Sequence, residues 1–189
     1  VVVTLNGSVV ARAMTEAGPR FVVDPQDARL IEIQTDGNAL KASWQAKVND
    51  ADVVIQSVVR LWQKSLVVDC VCKGGLATEL SYGRIEDVEK PEFLLLPFMN
   101  YGGHHLNVLM SSGKVPCFAS VWMDWYLSNA SAPYSVDKID GDKVQLNGGV
   151  QYLPKTDGRR NDLYERFFVT FSPVFEETLA TIANPPAKR

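Results

Sequence analysis

Hydrophobic and polar positions alternate along much of this chain with a period of two, the pattern of half-buried strands. Leu40, Ala42, Trp44, Ala46 and Val48 fall on one face, with Lys41, Ser43, Gln45 and Lys47 on the other. Ahead of them, Ala28 to Thr35 reads as a strand in which Leu30 points opposite to Ile31 and Ile33. Asp36-Gly37-Asn38 joins the two as a tight hairpin, because those residues tolerate positive φ. Asn49-Asp50 turns the chain into long strands over Asp52 to Trp62 and Ser65 to Cys72. Gly74-Gly75 breaks the pattern, and Leu76 to Tyr82 resumes it. Phe93-Leu94-Leu95-Leu96, bounded by Pro91 and Pro97, reads as a buried strand, Met99 to His105 as a loop, and Lys114 to Trp122 as another strand. Ser135 to Leu146 predicts a hairpin around Asp140-Gly141, Asn147-Gly148-Gly149 a second turn, Thr156 to Asp162 a polar turn, and Arg166 to Phe171 a strand. The one helix candidate is short, from Ser172-Pro173 to Leu179, since proline suits the first helical position. About a dozen closely spaced strands joined by hairpin signals predict an all-β fold, a large antiparallel β-sandwich.

Composition sharpens this picture. Valine accounts for 24 of the 189 residues, often in pairs such as Val53-Val54, Val58-Val59 and Val67-Val68. Such stiff β-branched side chains fit a pleated surface better than a helix. Apolar residues at 46% and charged residues at 22% exclude a disordered, collagen-like or coiled-coil chain. The net charge of −3, with no basic block, leaves no electrostatic footprint for a nucleic acid. No apolar run approaches the ~20 residues of a membrane helix, so neither nucleic acid nor membrane is an expected partner. The chain enters strand-like sequence at Val1 and closes on the linker-like Asn184-Pro185-Pro186-Ala187-Lys188-Arg189. The expectation is a single β-sandwich domain over residues 1–186, cut from a longer protein, with 187–189 as linker.

Cys70 and Cys72 lie two apart in a strand and share a face, and Cys117 stands alone. No paired Cys-x-x-Cys spacing accompanies them, so no metal and no cofactor is expected. They read as small core hydrophobes, with one disulfide plus a free thiol as the alternative, and the redox compartment stays open.

The densest chemistry is Trp122-Met123-Asp124-Trp125-Tyr126, with Asn129 close behind. Flat aromatic faces stack on the C–H faces of sugar rings, and Asp and Asn hydrogen-bond the hydroxyls. The competing structural reading makes Trp122 and Trp125 core, with Asp124 paired in a loop. His104 and His105 are the only histidines, in Asn100-Tyr101-Gly102-Gly103-His104-His105. One of them beside a carboxylate such as Asp124 is a candidate general acid or base; both are otherwise solvated loop residues. The alternating charges from Lys155 to Arg166 offer Arg159 to a polyol. Read structurally, they form a salt-bridged turn in which Arg159 and Arg166 meet Asp157, Asp162 and Glu165. Asp137, Asp140 and Asp142 fail the calcium-loop pattern because Ile139 occupies a ligand position. There is no Gly-x-Ser-x-Gly elbow, and no pair of acids nominates itself for glycoside hydrolysis. Asn6-Gly7-Ser8 and Asn129-Ala130-Ser131 have the form of glycosylation sequons.

The order Pro97-Phe98-Met99-Asn100-Tyr101, Phe118-Ala119-Ser120, Trp122-Met123-Asp124-Trp125-Tyr126, Ser128-Asn129-Ala130, Tyr152 to Asp162 and Asn184-Pro185 resembles a known domain type. It is the large β-sandwich (supersandwich, galactose-mutarotase-like) domain of bacterial glycoside-hydrolase-like proteins, and the likeness covers about residues 28–186. The resemblance implies a non-catalytic, carbohydrate-associated domain that packs on a catalytic (β/α) barrel of the same chain and shapes its cleft. The catalytic acids would lie in that barrel, and a glycan-processing parent would be periplasmic or extracellular. The contacts expected on sugar are Tyr101, His104, Trp122, Asp124, Trp125, Tyr126 and Arg159. Mutarotases use a histidine and a glutamate as acid and base, so a stand-alone sugar isomerase is the alternative. His104, His105 and Asp124 are its only candidates, and no glutamate stands in a matching motif. A structural or protein-interaction sandwich is the third reading.

Overall fold

The computed structural model describes residues 2–4, 9–10, 12–15, 18–21, 29–48, 51–81, 84–86, 88–101, 104–113, 115–134, 138–141, 143–145 and 149–179. The expected turns at Asn49-Asp50 and Asn147-Gly148, the Gly102-Gly103 pair, the sequon at Asn6, Asp137, Asp142 and the segment 180–189 lie outside the described residues.

The strands are β1 (Val2–Thr4), β2 (Val9–Val10), β3 (Arg12–Thr15), β4 (Gly18–Phe21), β5 (Arg29–Asp36), β6 (Ala39–Val48), β7 (Ala51–Trp62), β8 (Ser65–Cys72) and β9 (Glu79–Ser81). They continue with β10 (Arg84–Glu86), β11 (Pro91–Tyr101), β12 (His104–Ser111), β13 (Cys117–Met123), β14 (Ala132–Tyr134), β15 (Lys138–Asp140), β16 (Lys143–Gln145), β17 (Gly149–Gln151) and β18 (Leu163–Ser172). A 3-10 turn at Phe175–Thr178 is the only helical element among the described residues. The protein is all-β, as the alternation predicts. Its main element is an eight-stranded antiparallel sheet in the order β11-β12-β13-β18-β8-β7-β6-β5. Two four-stranded sheets, β1-β10-β16-β15 and β14-β17-β9-β2, and a separate β3–β4 hairpin complete the architecture.

Register decides which side chains share a face, because side chains alternate strictly along a strand. Across the middle of the large sheet, Phe167 pairs with Val68 and Glu165 with Cys70, while Cys72 pairs with both Leu163 and Ile55. This inner face carries the core: Val53, Ile55, Val68, Cys70, Cys72, Leu109, Val121, Met123, Phe167 and Val169 cluster with Leu80, Val144, Val150 and Tyr152. The last four come from the smaller sheets and the segment after β17, so those elements contribute side chains to the same core. A second, smaller cluster of Leu96, Val108 and Trp122 lies on the other side. Phe118, Phe168 and Phe175 pack on it, with Phe118 and Phe175 meeting edge to face at 5.7 Å between ring centres.

Three expectations change. A bulge between Leu30 and Glu32 inserts one residue into β5. Leu30 therefore pairs with inward-facing Trp44 and shares a face with Ile31 and Ile33 instead of opposing them. The expected loop at Met99 to His105 is largely strand: β11 runs to Tyr101, which pairs with His104. The expected helix after Ser172-Pro173 forms only a 3-10 turn with no side-chain cap at Val174. Ser172 instead accepts the Val174 amide at 3.1 Å. The Asp140-Gly141 hairpin is present, with Asp140 opposite Lys143.

Among the described residues, one edge of the inner face is exposed. All eight residues of β5 are exposed. Leu30, Ile31, Ile33, Leu40 and Trp44 form an apolar shoulder on that face, with Ile33 57% exposed.

Candidate functional site

The outer face of the large sheet is polar at its centre. Arg60 on β7, Asp69 on β8 and Arg166 on β18 point to that face, and Arg166 sits directly opposite Asp69. Arg166 donates through Nε to Asp69 Oδ1 at 2.5 Å and through Nη2 to Oδ2 at 3.2 Å. Arg60 donates through Nη1 to the same Oδ2. One half-buried carboxylate thus holds two guanidinium groups. The fork shape of arginine makes this arrangement rigid and leaves further N–H donors on both groups. Asp69 beside it holds the Arg166 guanidinium above its ordinary pKa against the opposing effect of burial.

This row leads to the end of β13. The Asp124 amide donates to the Arg166 carbonyl at 2.8 Å, which fixes the chain where the strand stops. Asp124 then closes a turn on itself: its Oδ1 accepts the Tyr126 amide at 3.2 Å and its carbonyl accepts the Leu127 amide at 3.1 Å. Asp is suited to this local bonding. The turn holds Trp125 48% exposed and Tyr126 78% exposed. Asp124 itself is buried.

Residues 129–131, just beyond the turn, are clamped from below. The Asn129 amide donates to the Tyr164 carbonyl at 3.3 Å, and Asn161 Nδ2 donates to the Asn129 carbonyl at 3.0 Å. Ser131 gives its amide to the Gln151 carbonyl at 2.8 Å and accepts the Leu153 amide at 2.9 Å. Behind them, on the inner face, Glu165 is fully buried. Its Oε1 accepts from Tyr152 Oη and, at 2.9 Å, from Ser128 Oγ, while Oε2 has no hydrogen-bond partner. Burial pushes the Glu165 carboxyl above its ordinary pKa, although the hydroxyls of Tyr152 and Ser128 and the amides of Ala130 and Asn129 favour its charge. Burial likewise raises the Tyr152 hydroxyl, with Glu165 adding to the effect.

The residues nominated from sequence separate into groups. Asp124, Trp125 and Tyr126 form the turn. Trp122 is 4% exposed, and its indole N–H donates to Ser120 Oγ at 2.9 Å and the Thr178 carbonyl at 2.8 Å. It is a core residue with no ring face open to a sugar. Arg159 is exposed in a separate turn, where its amide donates to Asp157 Oδ1 at 2.9 Å and its carbonyl accepts the Lys155 amide at 2.8 Å. Of Tyr101, His104 and His105 the backbone alone is described, at the tip of the β11–β12 hairpin. Antiparallel pairing of β12 with β13 sets that tip toward the Asp124 end of β13.

No family model matches the chain, and no curated protein does.

Arg60, Asp69, Tyr152 and Glu165 have no motif that nominates them. Alternation along β18 does show that Glu165 and Arg166 face opposite ways, so they never belonged to one salt-bridged turn. Arg166 takes Asp69 from the neighbouring strand, and Asp162 accepts the Gly74 amide at 2.8 Å. Among the described residues no group of three or more His, Cys, Asp or Glu is placed to hold a metal ion. Cys70, Cys72 and Cys117 are free thiols, and Cys70 and Cys72 are core residues, as their spacing suggests. Burial pushes the Cys70 thiol up to about 12 and the Cys72 thiol to about 11, which keeps both protonated and unreactive near neutrality.

Proposed function

We propose that this is a non-catalytic, carbohydrate-associated β-sandwich domain of a glycoside-hydrolase-like protein. The observation that carries this reading is the pair of exposed aromatic rings, Trp125 and Tyr126, on a hydrogen-bonded turn at the end of a polar sheet face. A rigid turn presents ring faces to a sugar at small entropic cost, and the donors of Arg60 and Arg166 on the same outer face suit hydroxyl oxygens. The apolar shoulder of Leu30, Ile31, Ile33, Leu40 and Trp44 supports a second element of the reading, packing against another domain. In this reading the isolated domain binds glycans weakly or not at all, and a catalytic domain completes the site. Calorimetry against a panel of mono- and oligosaccharides tests it: dissociation constants in the millimolar range or weaker are expected, and micromolar binding by the domain alone overturns it. The alternative, a sugar isomerase, is carried by the position of the β11–β12 tip toward Asp124. It predicts measurable anomer interconversion that is lost in His104→Ala or His105→Ala.

A further inference from the structure

The Trp125-Tyr126 turn is tied to β18 on both sides: before it the Asp124 amide donates to the Arg166 carbonyl, and after it the Asn129 amide donates to the Tyr164 carbonyl. The second tie lies within the segment Ser128, Asn129 and Ala130, which side chains also anchor. Ser128, two residues after Tyr126, donates to Glu165 Oε1 at 2.9 Å and accepts the Ala130 amide at 3.0 Å. Tyr152 donates to the same Oε1, and its hydroxyl oxygen accepts the Tyr164 amide at 3.2 Å. One carboxyl oxygen thus gathers β18, the segment after β17 and the segment after the turn, and the carboxyl is itself fully buried, where such bonds are strong.

Filling this space does not require a carboxyl. An apolar side chain would pack there without leaving Oε2 unpartnered, a state that costs free energy in a buried site. What the carboxyl adds is direction: two hydroxyls converge on one atom, and each is itself fixed by a backbone amide. We propose that Glu165, Tyr152 and Ser128 are positioning residues that hold the Trp125-Tyr126 turn in place on the end of the sheet. The functional meaning of this device rests on the turn being the sugar contact; its mechanical part does not.

Amide hydrogen exchange without any sugar tests the mechanical part. The reporters are the amides of Tyr126, Leu127, Asn129 and Ala130, with those of Ile55 and Val68 as references in the large sheet. In Tyr152→Phe, which removes one hydroxyl, and Glu165→Leu, which removes the acceptor, the reporters are expected to exchange about tenfold faster or more. The references should change by no more than the loss of global stability. Glu165→Gln keeps an acceptor oxygen and is expected to restore reporter exchange to within about twofold of wild type. Equal acceleration of reporters and references, or unchanged reporters in both Tyr152→Phe and Glu165→Leu, overturns the proposal. So does failure of the Gln variant to restore protection. Should Glu165→Leu fail to fold, Tyr152→Phe and Ser128→Ala still decide, since each removes one hydroxyl. Sugar titration of the same variants is a separate readout: micromolar binding by the wild-type domain alone counts against the carbohydrate reading and leaves the exchange result standing.

Discussion

Tyr152 donates its phenolic hydrogen to Glu165, and the same hydroxyl accepts the backbone amide of Tyr164, the residue before that glutamate. A single side chain from the segment after β17 therefore grips β18 at two consecutive residues. The ionisable partner in this grip is fully buried, which makes the protein's stability respond to proton binding at one identifiable place.

Burial raises the Glu165 carboxyl above its ordinary pKa, so the folded state binds its proton more tightly than the unfolded state does. The associated stabilisation is fully present below the unfolded value of about 4.5 and is lost as pH rises through the folded value. The stability of wild type relative to Glu165→Gln is expected to fall with rising pH in that window, by up to about 1.4 kcal/mol per pH unit. Tyr152 and Cys70 face the same carboxyl, and both stay protonated throughout this range. Asp36 and Glu177, lowered by hydrogen bonds to Lys41 and Lys64, act in the opposite sense but are common to both proteins and cancel. Denaturant melts of the pair from pH 4 to 8 check this; a flat difference contradicts it.

Asp69→Ala leaves two half-buried guanidinium groups facing each other without their shared acceptor. A loss of about 1–3 kcal/mol is expected, between the values for exposed and buried pairs. Because both arginines use one carboxylate, Arg60→Met and Arg166→Met should not be additive. Whichever is removed second leaves Asp69 alone and costs more. Urea unfolding of the two single variants and the double variant measures the coupling.

The two tryptophans of the aromatic cluster should behave oppositely. Trp122→Phe strips the Thr178 carbonyl and Ser120 hydroxyl of a buried donor and is expected to destabilise by about 1–3 kcal/mol. Trp125→Ala removes a half-exposed ring and should change stability by no more than about 0.5 kcal/mol while weakening any glycan contact. Thermal melts of both variants beside sugar titration of the second separate the roles.

Gly75 and Gly158 both have positive φ, but their surroundings differ. A β-carbon on Gly75 would meet the Arg160 carbonyl oxygen at 2.7 Å, whereas one on Gly158 meets open space. Gly158→Ala is expected to cost about 1 kcal/mol from backbone strain alone, and Gly75→Ala distinctly more, since backbone must move. Melting temperatures rank the two directly.

The strands were legible in the sequence because alternation is a local signal, and β6, β7, β8 and β18 stand close to where it puts them. The side of the sheet on which Leu30 lies was not legible, since a one-residue bulge reverses direction without changing composition. The Asp69 pairing was equally hidden: Arg60 and Arg166 are 106 positions apart and meet only through β8. The aromatic run announced itself, but its division into buried Trp122 and exposed Trp125 depends on where β13 ends, at the Asp124 amide bond to Arg166. Glu165 looked like one more charge in a polar stretch. Its burial follows from its register with Cys70, which local pattern does not show.

The shoulder at Leu30, Ile31, Ile33, Leu40 and Trp44 has a consequence for how the protein behaves in bulk. It joins exposed hydrocarbon to β5, which among the described residues is the outermost strand of the large sheet and carries no proline, the combination by which sheets of separate molecules zip together. The colloidal behaviour of this domain is therefore governed by a small patch at one margin, and Ile33→Lys would change its solubility while leaving its architecture alone.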